Sequence, residues 1–367
     1  MTLQAGNGEN KVEIPIWGQC LLWGTVIIFS FLHSSVEYTL EDVVATLTMV
    51  ETPSAAITIS PSADSEDPDA PLEKGGLLEA GPAITLVHQK PITSKIRTTL
   101  RHLTSQAGRL SHWRGLVPFV FYTISNVIVQ NLLSLVVPRV VPARVIVISS
   151  LSAILLSRIH AAWTHTVISL PSSKRFWQRI PPASSWRQLW IPAAVNASAG
   201  YAAIYLSIGF VQILRLDRAQ SELSTYSGVQ WCMFALRIVS LMAIVLLGGL
   251  FVILPATVTL VRIEASLLPE EEETIIPFDR TFGGKVVPTI LGGTGSIDFV
   301  EAWRTFNWEA RRRLVKLYIK IFFIMLALTI IMAQIVLLEI WAIMGPAFPK
   351  MIADARNGNA QGEFHTL

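Results

Sequence analysis

The stretch IVSLMAIVLLGGLFVILPATVTLV, Ile238 to Val261, runs for 24 residues without an Asp, Glu, Lys or Arg. About 20 predominantly apolar residues suffice for a helix to cross the hydrocarbon core of a bilayer, so this stretch predicts a membrane-spanning helix. It lacks the alternation of a barrel strand, and the backbone of a lone segment in lipid must find its hydrogen bonds within its own helix. Five other stretches share its character: Ile14 to Val36, Gly115 to Pro138, Val145 to Ser157 resuming at Ile159, Gln188 to Leu214, and Ile321 to Leu338. The predicted fold is therefore all-α, a polytopic membrane bundle of six transmembrane helices. With 51% hydrophobic and 15% charged residues, the chain is far from the balance of a water-soluble domain.

The gaps between these stretches alternate long and short, which arranges the helices as three hairpins with both termini on one face. The expected organisation is an N-terminal tail 1–13, a first hairpin 14–138 with a long, partly disordered loop 37–114, a second hairpin 139–214, a third hairpin 229–344 with loop 262–320, and a C-terminal tail 345–367. The first stretch is read as a retained helix. Glu9, Lys11 and Glu13 give no positive n-region, and no small-residue cleavage site follows.

Counted up to Lys316, with Lys320 left at the next helix boundary, the long loops carry 19 Lys and Arg residues against 7 on the other face. By the positive-inside rule the long loops face the cytosol, or the matrix if the membrane is the mitochondrial inner one; another endomembrane is the alternative. Within the first loop, the segment from Glu37 to Glu79 is acidic and proline-rich and lacks the hydrophobicity to fold alone. The segment from Lys90 to Arg114 is basic, with Ile96, Leu100, Leu103 and Leu110 at near-helical spacing. It reads either as an amphipathic helix on an anionic membrane surface or as an extension of the next span. The lipid bilayer is the expected partner, and nothing points to nucleic acid.

Each long loop carries a Trp-Arg pair towards its end, at Trp113-Arg114, Trp186-Arg187 and Trp303-Arg304. Chance would place fewer than one such dipeptide in the chain, so the pairs suggest internal repetition. Trp and Arg also favour the inner membrane interface, and interface anchoring is the other reading. Pro255 is expected to kink the fifth helix.

This layout resembles the mitochondrial carrier family: three hairpins, basic loops on one side, both termini on the other, and an aromatic-basic pair before each even helix. Odd helices of that family end in Pro-x-Asp/Glu-x-x-Lys/Arg. The best match here, Pro255 to Glu264 (PATVTLVRIE), keeps the proline and a later Arg262 but has Thr257 and Leu260 where the ion-pair partners belong. Trp113-Arg114-Gly115 completes the family's aromatic-basic-Gly ending. The resemblance implies a transporter of a small metabolite whose ion-pair gate does not form in the family's usual way. The segments from Ala162 to Pro182 and from Leu254 to Pro269 are also similar to uncharacterised fungal multispanning proteins, which implies no chemistry.

Charged groups inside apolar runs are the candidate site residues, because a charge at mid-membrane is costly unless it faces a cavity or a partner. Arg158 interrupts the third run, and His165, seven residues on, shares its helix face. Together they suggest an anion-binding or proton-linked site for a small anionic solute, with Glu339 of the last helix as a partner across a cavity. The plainer readings are a helix that starts after Arg158, leaving its side chain to snorkel, and an interfacial Glu339. Catalytic, cofactor and metal sites are not expected. Cys20 and Cys232 lie in apolar runs, no metal-ligand spacing occurs, and the glycines of the last long loop fit neither a Walker A nor a full GxGxxG pattern. An enzyme is therefore not predicted. A carrier-like transporter is the leading expectation. The alternative is a scaffold that binds lipids or proteins through its basic loops and needs no cavity.

Overall fold

The computed structural model describes residues 15–52, 90–217, 226–287 and 291–345, together with the backbone of four short strands. Eight helices account for most of it: α1 Ile16–Val50, α2 Ile96–Ala107, α3 Leu116–Val136, α4 Arg144–Ile168, α5 Trp186–Ile213, α6 Gly228–Ser266, α7 Phe299–Arg304 and α8 Trp308–Met344. Six of them (α1, α3, α4, α5, α6 and α8) are long and apolar enough to cross a membrane, giving a polytopic all-α bundle of three hairpins. Strand β1 (Thr2–Leu3) pairs antiparallel with β2 (Val12–Glu13), and β3 (Ala55–Ser60) with β4 (Ala83–His88). The acidic residues between β3 and β4, where disorder is expected, lie outside the described residues.

Three helices are much longer than their uncharged runs. α1, α6 and α8 have 35, 39 and 37 residues, or roughly 52 to 58 Å at 1.5 Å per residue, against a hydrocarbon core of about 30 Å. The loop boundaries expected at residues 37, 262 and 320 are corrected accordingly: α1 continues to Val50, α6 to Ser266, and α8 begins at Trp308. The charged residues that ended the apolar runs do not end the helices. They mark where each helix leaves lipid and enters protein.

What receives the helix ends is a packed headpiece on the face of the long loops. Val43, Val44, Leu47 and Val50 of α1 meet Trp163, Val167 and Ile168 of α4 and Val258, Val261 and Ala265 of α6; Leu103 of α2, Phe306, and Leu314 and Ile321 of α8 complete the core. The segment Val43 to Val50 (VVATLTMV) thus reads as apolar surface for a protein core, although Glu37, Glu41 and Asp42 exclude it from a bilayer span. By contrast Trp23, Ile27 and Phe31 of α1, Val117 and Leu132 of α3, and Ile330 and Leu338 of α8 are exposed, as side chains facing lipid must be.

Two π-turns adjust the long helices. One, Tyr38–Val44, lies where α1 enters the headpiece, and Tyr38, Leu40, Val43 and Val44 are all buried there. The other, Gly249–Ile253, precedes Pro255. Proline has no N–H to donate back along the helix, and the wider turn absorbs the irregularity without breaking α6.

In the membrane, α3, α4, α5 and α6 pack in sequence order, and α1 lies along α8. Gly18 permits that last approach, since a Cβ there would stand 2.8 Å from Ile343. In the headpiece, the ends of α1, α4 and α6 converge on one another, so the loop face is the closed side of the bundle.

The rim of the headpiece is a turn organised by Asp279. Its carboxylate accepts from the backbone N–H groups of Thr281 (2.9 Å) and Gly283 (2.7 Å) and from Thr281 Oγ1 (2.7 Å). Partial burial works to raise this carboxyl, but the hydrogen bonds and the nearby Arg262 guanidinium outweigh it and hold it below the usual carboxylate range. A carboxyl depressed in the folded state stabilises above its unfolded value, about 3.9, and loses that contribution as pH falls through its folded value. Asp279→Asn should therefore be less stable than wild type at neutral pH, with the difference shrinking below about pH 4. Thermal unfolding in detergent across pH 3 to 7 checks this.

Candidate functional site

A chamber of about 360 Å³ lies among α3, α4, α5 and α6. About half of its wall is polar: Tyr122, Asn126 and Gln130 from α3, Ser149 and His160 from α4, Asn196 and Tyr201 from α5; Ile204 of α5 and Leu260 of α6 are among the apolar lining. Counted from the helix ends on the terminal face, Ser149 lies roughly 8 Å in, Asn126 15 Å, Tyr201 18 Å and Asn196 25 Å, all within the thickness of the bilayer. Lipid cannot satisfy such groups, so each must meet protein, water or a solute.

The protein satisfies one side of each amide. Asn126 Oδ1 accepts from Ser152 Oγ of α4 (2.6 Å) and from Gln130 Nε2 (3.2 Å), and Asn196 Oδ1 accepts from Thr257 Oγ1 of α6 (2.9 Å). Ser150 and Ser198 bond at 2.9 Å between α4 and α5. These bonds stitch the four helices together, and among the described residues the amide nitrogens of Asn126 and Asn196 have no partner. Ser149 is buried and lines the chamber. Ala153, Ala193, Ala197 and Gly200 supply the remaining space.

At the loop-side end stands a buried carboxylate, Glu264 of α6. It is 0% exposed. His160 Nδ1 lies 2.6 Å from Glu264 Oε1, and Thr164 Oγ1 donates to Oε2 at 2.5 Å. His165 Nε2 lies 2.8 Å from the backbone carbonyl of the same residue, which requires that nitrogen to carry the proton. One residue of α6 is thus held by three side chains of α4, and His160 presents its ring to the chamber. The ring sits 5.1 Å from that of Tyr122 and 5.0 Å from that of Trp163. Asp42, on the π-turn of α1, is within Coulombic reach of His160.

The three residues singled out from sequence are not brought together. Arg158 lies inside one unbroken helix, α4, but its guanidinium donates to the carbonyl of Pro181 in the following loop, at 2.9 and 2.7 Å, and it does not line the chamber. His165 shares its helix face yet lies roughly 10 Å further along the axis, packed against α6. Glu339 accepts from Thr25 Oγ1 at 2.5 Å and joins α8 to α1.

The Trp-Arg pairs also differ from one another. Arg114 caps the end of α4, donating to the carbonyls of Thr166 (3.1 Å), Val167 (2.8 Å) and Ser169. Gly115 beside it has φ +76, and a Cβ there would press on Trp163 and Val167. Trp113 donates to Ser35 Oγ (2.9 Å) and Trp186 to the carbonyl of Ile154 (3.0 Å), both partly exposed, as interface anchors are. Arg187 is exposed. Trp303 lies beneath Arg311, and Arg304 faces Glu301 at 3.4 Å.

Sequence reasoning passed over Asn126, Gln130, Asn196 and Glu264. The signal was present: amide side chains are as rare a guest in an apolar run as charged ones, and they serve as interhelical hydrogen-bonding groups. Glu264 was hidden because it follows the uncharged run by three residues and looked like part of a loop.

The fold and this chamber define the class: a multi-pass helical membrane protein with a polar intramembrane cavity. No protein-family model matches the chain, and no curated protein or solved structure does either.

Removing the Glu264 carboxylate leaves His160 and Thr164 without their buried acceptor. Glu264→Ala should cost about 1 to 3 kcal/mol, with Glu264→Gln intermediate, since the amide oxygen still accepts one bond. Thermal unfolding of the purified variants in detergent measures both.

Proposed function

We propose that the protein is a carrier-like transporter whose solute site is the polar chamber, closed in this conformation at the loop face. The observation that carries this reading is a chamber of about 360 Å³ at membrane depth, lined in part by the amides of Asn126, Gln130 and Asn196, the tyrosines Tyr122 and Tyr201, Ser149 and His160. A scaffold needs only a packed bundle, and polar groups gathered along a hollow at membrane depth would cost it stability without return. Closure by convergence of α1, α4 and α6 supports the same reading. It replaces an ion-pair gate with apolar packing around the Glu264 node, which suits a chain with Thr257 and Leu260 at the positions of the missing pairs.

The solute is held by neutral hydrogen-bonding groups, so the anionic solute expected from Arg158 is not carried forward. Arg158 is engaged by Pro181 and serves to join α4 to the loop that follows it. Flux of radiolabelled solutes into proteoliposomes, screened across organic cations, polyols and dicarboxylates, tests the assignment. Ala197→Phe, which fills the chamber, should reduce the flux at least tenfold, and Arg158→Ala should leave it within about twofold of wild type, these fold-changes corresponding to about 1.4 and 0.4 kcal/mol of barrier. Failure of every class to enter above the rate of empty liposomes would overturn the reading.

A further inference from the structure

A second hollow, of about 260 Å³, shares no lining residue with the chamber. It sits at the loop face, where the residues leading into α3 meet the end of α4 and the loop that follows it. Arg114, Lys174 and Arg179 line it, and no acid does. Two of these charges are answered from behind: Glu272 lies 2.9 Å from Arg179 and 3.3 Å from Lys174, and the exposed Glu271 lies 3.9 Å from Lys174. Arg114 has no ion pair among the described residues. Its Nε and Nη2 donate to the carbonyls at the end of α4, while its Nη1 has no partner among the described residues. A guanidinium at the edge of a low-dielectric region calls for an anion, and its planar fork matches the oxygens of a phosphate.

An independent observation points to a ligand in the same place. Ser111 lines the pocket and is 4% exposed, yet its hydroxyl has no hydrogen-bond partner among the described residues. A buried hydroxyl without a partner is costly, and a phosphate oxygen would accept its proton. The surroundings identify what carries that phosphate. Leu110, also in the lining, is 76% exposed. Phe176, a third lining residue, packs 5.4 Å from the ring of Phe121, an exposed side chain of α3 roughly 8 Å along the helix from Leu116. The basic pocket is thus continuous with the lipid-facing flank of a span, at the level of the headgroups. We infer that it binds the phosphate of an anionic phospholipid, held by Arg114, Lys174 and Ser111, with the acyl chains lying along the Phe121 flank of α3. Basic pockets beside spans on the positively flanked face hold headgroups of this kind. A soluble phosphate ester offers the same oxygens but nothing to cover Leu110.

Native mass spectrometry of the full chain in a non-ionic detergent tests this, with dioctanoyl phosphatidic acid, dioctanoyl phosphatidylcholine and glycerol 3-phosphate as probes. Phosphatidic acid should bind about tenfold more tightly than phosphatidylcholine or glycerol 3-phosphate. Lys174→Ala should weaken it about fivefold and Ser111→Ala about threefold, while Arg139→Ala, on the opposite face, leaves it unchanged. Ser111→Ala also separates binding from folding. It removes a hydroxyl that the protein does not satisfy, so thermal unfolding should stay at or above the wild-type temperature while lipid affinity falls. Equal binding of the two lipids, or phosphatidic acid binding indifferent to both Lys174→Ala and Ser111→Ala, would overturn the site. Equal weakening by Arg139→Ala would reduce it to diffuse surface charge. Glycerol 3-phosphate binding as tightly as phosphatidic acid would overturn the lipid as its source.

Discussion

A helix of 35 to 39 residues cannot end inside a bilayer about 30 Å thick, and the remainder of this structure follows from that mismatch. Each overlong helix carries a second apolar surface past the interface, and that surface must be covered by protein. α1, α6 and α8 cover one another there, with the ends of α2 and α4 completing the core. The headpiece is the best-buried part of the molecule, while the helices below it are loosely enough packed to hold a chamber.

That division of labour explains where the polar groups sit. In the headpiece, charged side chains are bound to backbone groups: Arg262 donates to the carbonyls of Met49 and Ala302 and packs over Phe282 and Phe306, and Glu51 accepts from the N–H groups of Ile92 and Thr93. Each such bond ties a loop to a helix end. In the membrane, the groups that line the chamber are mostly amides and hydroxyls, which cost less to desolvate than ions, while the charges of Arg158 and Glu339 are bonded to Pro181 and Thr25. Glu264 lies at the junction, where a carboxylate can be buried because three side chains of α4 surround it.

Much of the architecture was legible in the sequence because lipid imposes a simple rule: a long run without charge spans. The six spans and their hairpin order came from that rule. The helix ends did not, since Glu37, Arg262 and Lys316 mark a change of solvent rather than a change of backbone conformation. The site was harder still. Arg158 drew attention as the one charge inside a run, but a guanidinium on a long stem reaches well beyond its own Cα, and Pro181, 23 residues on in the loop that follows α4, offered it a carbonyl. Asn126 and Asn196 came together only because α3, α4 and α5 pack side by side, and no spacing within any one helix announces a contact between two of them.

The bond between Thr25 and Glu339 has a consequence for how the molecule is made. Its two residues lie 314 positions apart, in the first span and the last. A chain inserted from its N-terminus must therefore hold Thr25 without its carboxylate partner until α8 has been synthesised. During that interval Thr25 can turn its hydroxyl back to its own helix, as serines and threonines do. The headpiece waits as well, because Leu314 and Ile321 fill its core from α8. The last helix thus completes both the bundle and its cap, and a chain truncated before Trp308 has the earlier spans without that closure.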